Sequence, residues 1–433
     1  MQYPQAVQFL DSLENKGIKL GLERMQAIMR ALGNPHQQVN SILVGGTNGK
    51  GSTTAFLNQL LLKNQYNVGL YTSPHLTRYN ERILVNNKPI SNQAFAKQVA
   101  TLKERIEQEA LEVMHFEFLT ALALNWFCQQ KVDIAIVEVG LGGRLDATNI
   151  VSPIASAITN IGLEHQEWLG NSLREIALEK AGIIKEQAPI ICTETNSELN
   201  KIFQDIANGK KAPFYCLEKD FSVETPVVSL KKTSMNFKGL GLELGGMELG
   251  LRGRHQATNA GLALATLQVL KKQNKIRLTK ASISKALKKT TWPGRFQILG
   301  NKPVVIVDVC HNPSGCKALA ETLESALHNQ KITLVFGSAT DKNSFAMLQA
   351  LAPFVNKLVL CQSTQRGTLV EELNSIAKKL FPSFKISSIA DVNAAVKKTI
   401  QKASPQETIL ICGSIFVVRE AIPFLKKKDL QKK

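Results

Sequence analysis

Short, continuous apolar runs punctuate the first half of the chain at residues 42–44, 68–71, 133–139, 154–158 and 189–192. Runs apolar at nearly every position suit strands that are covered on both faces. Between them the period changes. Phe56, Leu57, Leu60 and Leu61 recur at helical spacing, and helical patterns cover residues 93–112, 116–130 and 172–183. This alternation predicts an α/β domain built on a mostly parallel sheet. From about 221 to 251 the segments become short, alternating and glycine-punctuated, as in Val227-Val228-Ser229-Leu230 and Leu240-Gly241-Leu242-Glu243-Leu244. They predict a small antiparallel sheet at one edge. Helices are expected at 256–272 and 279–289. A second alternating series follows, with strands at 304–309, 332–337, 357–361, 384–386 and 408–412 and a last helix to about 425. It predicts a smaller, Rossmann-like α/β domain. The expected division is 1–296 and 297–433, with a hinge near 296–300. Open α/β sheets place ligands at the carboxyl ends of their strands, and a cleft between two such domains suits a reaction that joins two substrates.

Composition narrows the class. A chain of 433 residues exceeds one ordinary domain, and 44% hydrophobic with 20% charged residues suits a soluble globular protein. No apolar stretch approaches the roughly 20 residues of a membrane span, and the first residues lack the order of a signal peptide. Seven cysteines without a Cys-x-x-Cys pair fit reduced thiols, so a cytoplasmic location is expected. A net charge of +18 suits nucleic acid, polyanionic substrates or simple solubility. The lysines are dispersed except in the tail, where Lys426, Lys427, Lys428, Lys432 and Lys433 read as a solvated run. With only 6% aromatic residues there is no interleaved stacking surface, so neither nucleic acid nor membrane is an expected partner.

The strongest chemical signal is Gly45-Gly46-Thr47-Asn48-Gly49-Lys50-Gly51-Ser52-Thr53-Thr54, between a buried strand and a helix. Glycines let backbone N–H groups approach phosphate oxygens, and the helix start adds free donors. Lys50 can reach terminal phosphates, and Ser52 or Thr53 can face Mg²⁺. The spelling departs from the usual phosphate loop: Val44 stands where its first glycine would be, and Gly51 separates Lys50 from Ser52. Ser73, in Tyr71-Thr72-Ser73-Pro74-His75, reads equally as a hydroxyl ligand or as part of a Ser-Pro turn. Glu138 ends an apolar run ahead of Gly140-Leu141-Gly142-Gly143, where a carboxylate is either paired or placed for metal. His165 alone reads as a metal ligand or an ordinary surface histidine. Lys180 lies among apolar neighbours, where its amine would be partly deprotonated, or it complements a helix C-terminus. Asp308 and His311 close a strand in the second half. Cys310 and Cys316 lie near them, without further ligands at zinc spacing.

Taken in order along nearly the whole chain, these segments resemble the folylpolyglutamate synthase/dihydrofolate synthase family of the Mur ligase superfamily. Gly46 to Ser52 is similar to that family's variant phosphate loop. Leu20 to Arg24, Ser73-Pro74-His75, Glu138 to Asn149, Glu164-His165, Glu179 to Ile183, Pro293 to Phe296, Asp308 with His311-Asn312-Pro313, and Cys412-Gly413-Ser414 also match. The resemblance implies that Asn48, Gly49, Lys50, Gly51 and Ser52, with Asn259, Arg295 and Asp308, hold ATP. It implies a pair of Mg²⁺ ions on Ser73, Glu138 and His165, and a carbamylated Lys180 near them. It implies Lys50, Lys180 and His311 as catalytic groups, with His311 and Ser414 facing L-glutamate. Gly21, Leu22, Glu23, Arg24, Phe116, Glu117, Leu145, Asp146 and Ala147 would shape a pterin pocket. Arg144 to Asn149 resembles the version in bacterial enzymes that carry both activities. Val309-Cys310 replaces the commoner Gly-Ala before His-Asn-Pro.

The implied reaction is an ATP-driven ligation of dihydropteroate or folates to L-glutamate by a monomeric enzyme. Three rivals are set against it. A monofunctional folylpolyglutamate synthase would lack the dihydropteroate step. A cell-wall Mur ligase would carry a UDP-binding domain before the loop, where only 45 residues precede Gly46. A phosphate-loop nucleic-acid-binding module would follow from the charge alone.

Overall fold

A computed structural model describes residues 1–15, 17–328 and 330–427. Lys428, Lys432 and Lys433 of the basic tail lie outside the described residues. The chain divides into two units. The first comprises Met1–Glu224, Met235–Met247 and Thr258–Thr290; the second comprises Thr225–Ser234, Glu248–Ala257 and Thr291 onwards.

The first unit is built on an eight-stranded sheet. Its spatial order is Lys88–Pro89, Ile83–Val85, Val68–Tyr71, Ile134–Glu138, Asn40–Gly45, Ala155–Ile158, Ile190–Cys192 and Phe214–Cys216. Ile83–Val85 pairs antiparallel with both of its neighbours, Lys88–Pro89 and Val68–Tyr71, and the remaining pairs are parallel. Asn40–Gly45 runs centrally, with Val44 in register with Glu138 on one side and Ala157 on the other. Every residue of it but Asn40 is buried. The helix Lys50–Lys63 buries nearly its whole surface, so it lies within the unit rather than on its rim. Because the central strands are parallel, the segments that leave Gly45, Tyr71, Glu138 and Ile158 emerge at one edge of the sheet.

Two helices that the sequence pattern did not predict, Tyr3–Glu14 and Glu23–Ala31, pack against the helices Asn92–Gln108 and His115–Gln129. Ala6, Leu10, Leu13, Met25, Ile28 and Met29 join the core that holds Phe95 and Phe118. The helices expected at 93–112, 116–130 and 172–183 are Asn92–Gln108, His115–Gln129 and Leu173–Ala181. Leu242–Leu249, Thr233–Gly239 and Phe221–Val228 form the separate small antiparallel sheet.

The second unit's sheet has the order Gln297–Asn301, Val304–Val307, Thr408–Cys412, Ile332–Phe336, Val355–Gln362 and Ser387–Asp391. Only the first pair is antiparallel. Residues expected to act as a hinge, 297–300, are instead a strand of this sheet. The strand expected at 384–386 lies later, at Ser387–Asp391. Phe384 and Ile386 meet their apolar requirement by packing on the core, with Phe384 ring-to-ring 5.0 Å from Phe381. The ladder itself is made by the largely exposed edge residues that follow. The last helix is Ile415–Lys427. No helix among the described residues is long and apolar enough to cross a membrane.

Candidate active site

The glycine loop of the first unit begins where Asn40–Gly45 ends. Gly46 (φ +133) and Gly49 (φ +88) adopt backbone conformations that L side chains rarely reach. A Cβ on Gly46 would also run into the Thr159 hydroxyl, and one on Gly49 into the Asn259 amide. Glycine is therefore required at both positions for conformation and for space. The loop is pinned from the neighbouring strand. Thr47 N–H donates to the Asn160 carbonyl at 2.8 Å, and Asn48 N–H donates to Asn160 Oδ1 at 3.0 Å. The Thr47 hydroxyl accepts from Gly162 N–H at 2.9 Å. Gly49 caps the helix Lys50–Lys63, so that helix's unpaired N–H groups open onto the loop. Ser52 and Thr53 are buried in its first turn, and Thr53 Oγ1 has no hydrogen-bond partner.

Two lysines converge on one carbonyl. Lys50 Nζ donates to the carbonyls of Gly46 and Thr47, both at 3.0 Å. Lys180 Nζ, from the helix Leu173–Ala181, also donates to the Gly46 carbonyl at 3.0 Å. Lys180 is only 5% exposed. Burial, reinforced by the Lys50 ammonium, brings its amine down to about 7. The buried site disfavours the charged form, so neutral amine is present at physiological pH.

Glu138 ends its strand buried, and its Oε2 accepts from Ser73 N–H at 3.2 Å. The pair brings an anionic oxygen and a hydroxyl-bearing residue to the edge where the glycine loop emerges. His165 lies on the segment leaving Ala155–Ile158, at φ +53, capping the short helix Gln166–Leu169. Among the described residues no three His, Cys, Asp or Glu side chains gather as a metal-holding group. The expected donors differ from such a group because one is a serine. A carboxylate oxygen and a hydroxyl fit a hard cation such as Mg²⁺, which keeps several water ligands and needs few from protein.

The segments expected around a pterin also meet. Arg24 Nε and Nη2 approach Glu117 Oε1 at 3.0 and 2.8 Å, and Arg24 Nη2 donates to the Lys19 carbonyl at 2.6 Å. Glu117 Oε2 accepts from Met114 N–H at 2.9 Å. Gly21 N–H faces the Leu145 carbonyl at 3.5 Å. Leu22 caps the helix that Glu23 begins. The Phe116 ring lies 6.0 Å from that of Tyr71. Asp146 is enclosed: Oδ2 accepts from Leu141 N–H at 2.7 Å, and Oδ1 accepts from Thr148 N–H at 2.9 Å and from the Thr148 hydroxyl. Burial raises its pKa against these donors. Ala147 is buried behind it.

In the second unit Asp308 follows Val304–Val307. Its Oδ2 accepts from Phe296 N–H and its Oδ1 from Cys310 N–H, both at 2.8 Å. Burial pushes its carboxyl up to about 7, against the pull of Arg295. Arg295 Nε is buried without a hydrogen-bond partner. Asp308 N–H donates to the Ile411 carbonyl at 3.1 Å, so the ends of two adjacent strands present Asp308 and Ser414 at one edge. His311 Nδ1 lies 3.0 Å from the Val309 carbonyl. Ser414 is buried, and its Oγ accepts from Phe416 N–H at 3.1 Å.

Sequence reasoning passed over Asn160 and Glu194. Asn160 holds the glycine loop, and Glu194 Oε2 accepts from Ile161 N–H at 2.7 Å on the next loop. The available signal was the same in both cases: a polar residue shortly after a buried apolar run. Arg82, buried and donating to His75 Nδ1 at 2.9 Å, carried no such signal.

A glycine–lysine loop at the head of a buried helix is a phosphate-binding layout. Residues 44–267 match the Mur ligase middle domain, and residues 294–415 match the Mur ligase glutamate ligase domain. These family matches make the chain a Mur-type ATP-dependent acid–amino-acid ligase. The chain is 34% identical to the dihydrofolate synthase/folylpolyglutamate synthase of Bacillus subtilis over 95% of this chain and 96% of that protein. It superposes on the folylpolyglutamate synthase of Thermotoga maritima with a TM-score of 0.86 at 32% identity, covering 100% of this chain and 99% of that one. Escherichia coli FolC in complex with DHPP and ADP gives 0.86 at 30% identity, with 98% of each chain covered. The chain belongs to the dihydrofolate synthase/folylpolyglutamate synthase family.

Proposed function

We propose that this enzyme uses ATP to activate the carboxylate of dihydropteroate, and of tetrahydrofolate polyglutamates, and joins it to L-glutamate. The observation that carries this reading is the pinned glycine loop with Lys50 and the buried Lys180 meeting at Gly46. Lys50 and the N–H groups of Asn48, Gly49, Gly51 and Ser52 would bind the phosphates, with Asn259 beside the loop. Arg295 and Asp308 would hold the rest of the nucleotide. Residues 1–296 would thus carry the pterin and the ATP phosphates, and 297–433 would add Asp308 to the nucleotide and present glutamate through His311 and Ser414. The enzyme acts as a cytoplasmic monomer.

A carboxylate is a poor electrophile, so its oxygen first takes the γ-phosphoryl group, and ADP leaves. Lys50 offsets the charge spread over the transferring group. The glutamate amine then attacks the acyl carbon, and the tetrahedral adduct collapses to an amide and phosphate. Ser73, Glu138 and His165 would hold Mg²⁺, which when bound neutralises phosphate charge. Lys180, neutral in part at pH 7 and buried beside the loop, is suited to carbamylation by CO₂. A carbonyl resonance from ¹³C-bicarbonate that is lost in Lys180→Ala would support this; no resonance in the native enzyme would rule it out.

Arg144 to Asn149 supports both activities on one chain. The deciding assay is ADP release with dihydropteroate or tetrahydrofolate, each with and without L-glutamate. Glutamate-dependent release with both acceptors is expected. Release with tetrahydrofolate alone would replace the bifunctional reading with the monofunctional one.

A further inference from the structure

Three buried thiols meet beside Asp308, and the ligase chemistry uses none of them. Cys310 lies on the segment after Val304–Val307, Cys316 in the helix Pro313–Leu327, and Cys412 ends Thr408–Cys412. Cys316 Sγ is 3.5 Å from Cys310 Sγ. Cys310 is also hydrogen-bonded to the Cys412 thiol, and the Gly413 N–H donates to it. Asp308 and His311 are the titratable groups beside the cluster. Two S–H donors, one N–H donor and a following 15-residue helix that begins at Pro313 all favour negative charge on the Cys310 sulfur. Cys310 is 4% exposed, and Cys316 and Cys412 are fully buried.

We propose that Cys310 and Cys316 are an oxidisable pair that hydrogen peroxide closes to a disulfide. The Cys310 thiolate attacks one peroxide oxygen; the O–O bond breaks, and the departing hydroxide takes a proton to become water. The resulting sulfenic acid is attacked by the Cys316 sulfur, which gives up its proton as the S–O bond breaks and a second water leaves. Two thiols and one peroxide thus yield one disulfide and two waters, with the sulfurs supplying both electrons. Peroxide is close to water in size, so it can reach a buried thiol that excludes bulky disulfides. An S–S bond is about 2.05 Å long, so the sulfurs must approach by roughly 1.5 Å. The Cys310 N–H is one of the two peptide donors on Asp308, so that movement reaches the Asp308 carboxylate. A consequence for ATP affinity rests on the assignment of Asp308 to the nucleotide.

The test uses the full chain with Cys128→Ser, which removes the half-buried thiol of the Phe116 helix. After peroxide treatment, quenching, alkylation and trypsin, one peptide carries both Cys310 and Cys316. It should be lighter by two hydrogens and take up no alkyl label, while glutathione disulfide leaves it fully labelled. Reduction with dithiothreitol should reverse the change. Cys316→Ala and Cys310→Ala should each abolish it while retaining ligase turnover before treatment. Full alkylation of this peptide after peroxide, or a link from Cys310 to the Cys412 peptide, would overturn the pair. Oxidation should also raise KM for ATP severalfold, reversibly, and not in Cys316→Ala. A disulfide that forms with KM for ATP unchanged would leave the thiol chemistry standing and overturn the Asp308 assignment instead.

Discussion

Lys180→Met should be more stable than the parent near neutrality and lose most of that advantage by about pH 10. Methionine keeps much of the lysine's length and volume but carries no proton. In the folded chain the amine is brought from 10.5 to about 7, chiefly by burial. Between those values the unfolded chain binds a proton that the folded chain does not, so the parent gains stability as pH rises. Each pH unit is worth about 1.36 kcal/mol, and the whole interval about 5 kcal/mol as an order of magnitude. Below about pH 7 both states are protonated and the penalty is fully expressed. The variant also loses the hydrogen bond to Gly46, about 1 kcal/mol at any pH in this range. Its expected advantage is therefore about 4 kcal/mol near pH 7, shrinking towards zero by pH 10. Urea unfolding of both proteins in bicarbonate-free buffer, from pH 6.5 to 10, measures the difference, and titrations common to both cancel. Parallel profiles across that interval would show that Lys180 is charged in the folded protein, and would remove the case for its reacting as a neutral amine.

Lys50→Ala should lower glutamate-dependent ADP release by about 10²-fold or more while the circular dichroism spectrum stays native; unchanged turnover would refute the phosphate-loop assignment. Glu117→Gln breaks the partly buried pair with Arg24 and leaves that guanidinium without its counter-charge. A loss of about 3 kcal/mol in urea unfolding is expected, and an unchanged midpoint would show that the pair contributes nothing net. Asp308→Asn keeps the volume but offers an N–H₂ to one of two peptide N–H groups, at Phe296 or Cys310. It should lose about 1–3 kcal/mol of stability and raise KM for ATP; a rise in KM for glutamate alone would move Asp308 to the other substrate.

The central strands and the glycine loop were legible because a buried parallel strand must be apolar throughout. Any polar residue at its end, such as Glu138 or Asp308, therefore stands out. The helices Tyr3–Glu14 and Glu23–Ala31 were not read, although Leu10, Leu13, Ile28 and Met29 follow helical spacing, because no strand alternates with them to frame the pattern. The edge strands Ile83–Val85 and Lys88–Pro89 are too short to show a period. Asp146 was placed in a pocket wall by the family resemblance alone. Its bonds to Leu141 and Thr148, which fasten the loop to itself, depend on backbone direction that a sequence does not display. The meeting of Lys50 and Lys180 at Gly46, 134 residues apart for the second lysine, follows from strand order, and strand order is a property of the assembled sheet.

Strand order also governs when the second unit can form. Of the described strands of this sheet Thr408–Cys412 is the last to be synthesised, yet it lies between Val304–Val307 and Ile332–Phe336. Until it emerges from the ribosome, the hairpin Gln297–Val307 and the three strands from Ile332 to Asp391 have no ladder between them. Ser414, Cys412 and the carbonyl that fixes Asp308 arrive with that strand. The unit's assembly is thus a late, all-or-none event of high contact order, and a nascent or truncated chain ending before Thr408 exposes two unpaired strand edges. Translation past residue 412 therefore acts as a checkpoint: the edge that carries Asp308 is completed only once Thr408–Cys412 has been made.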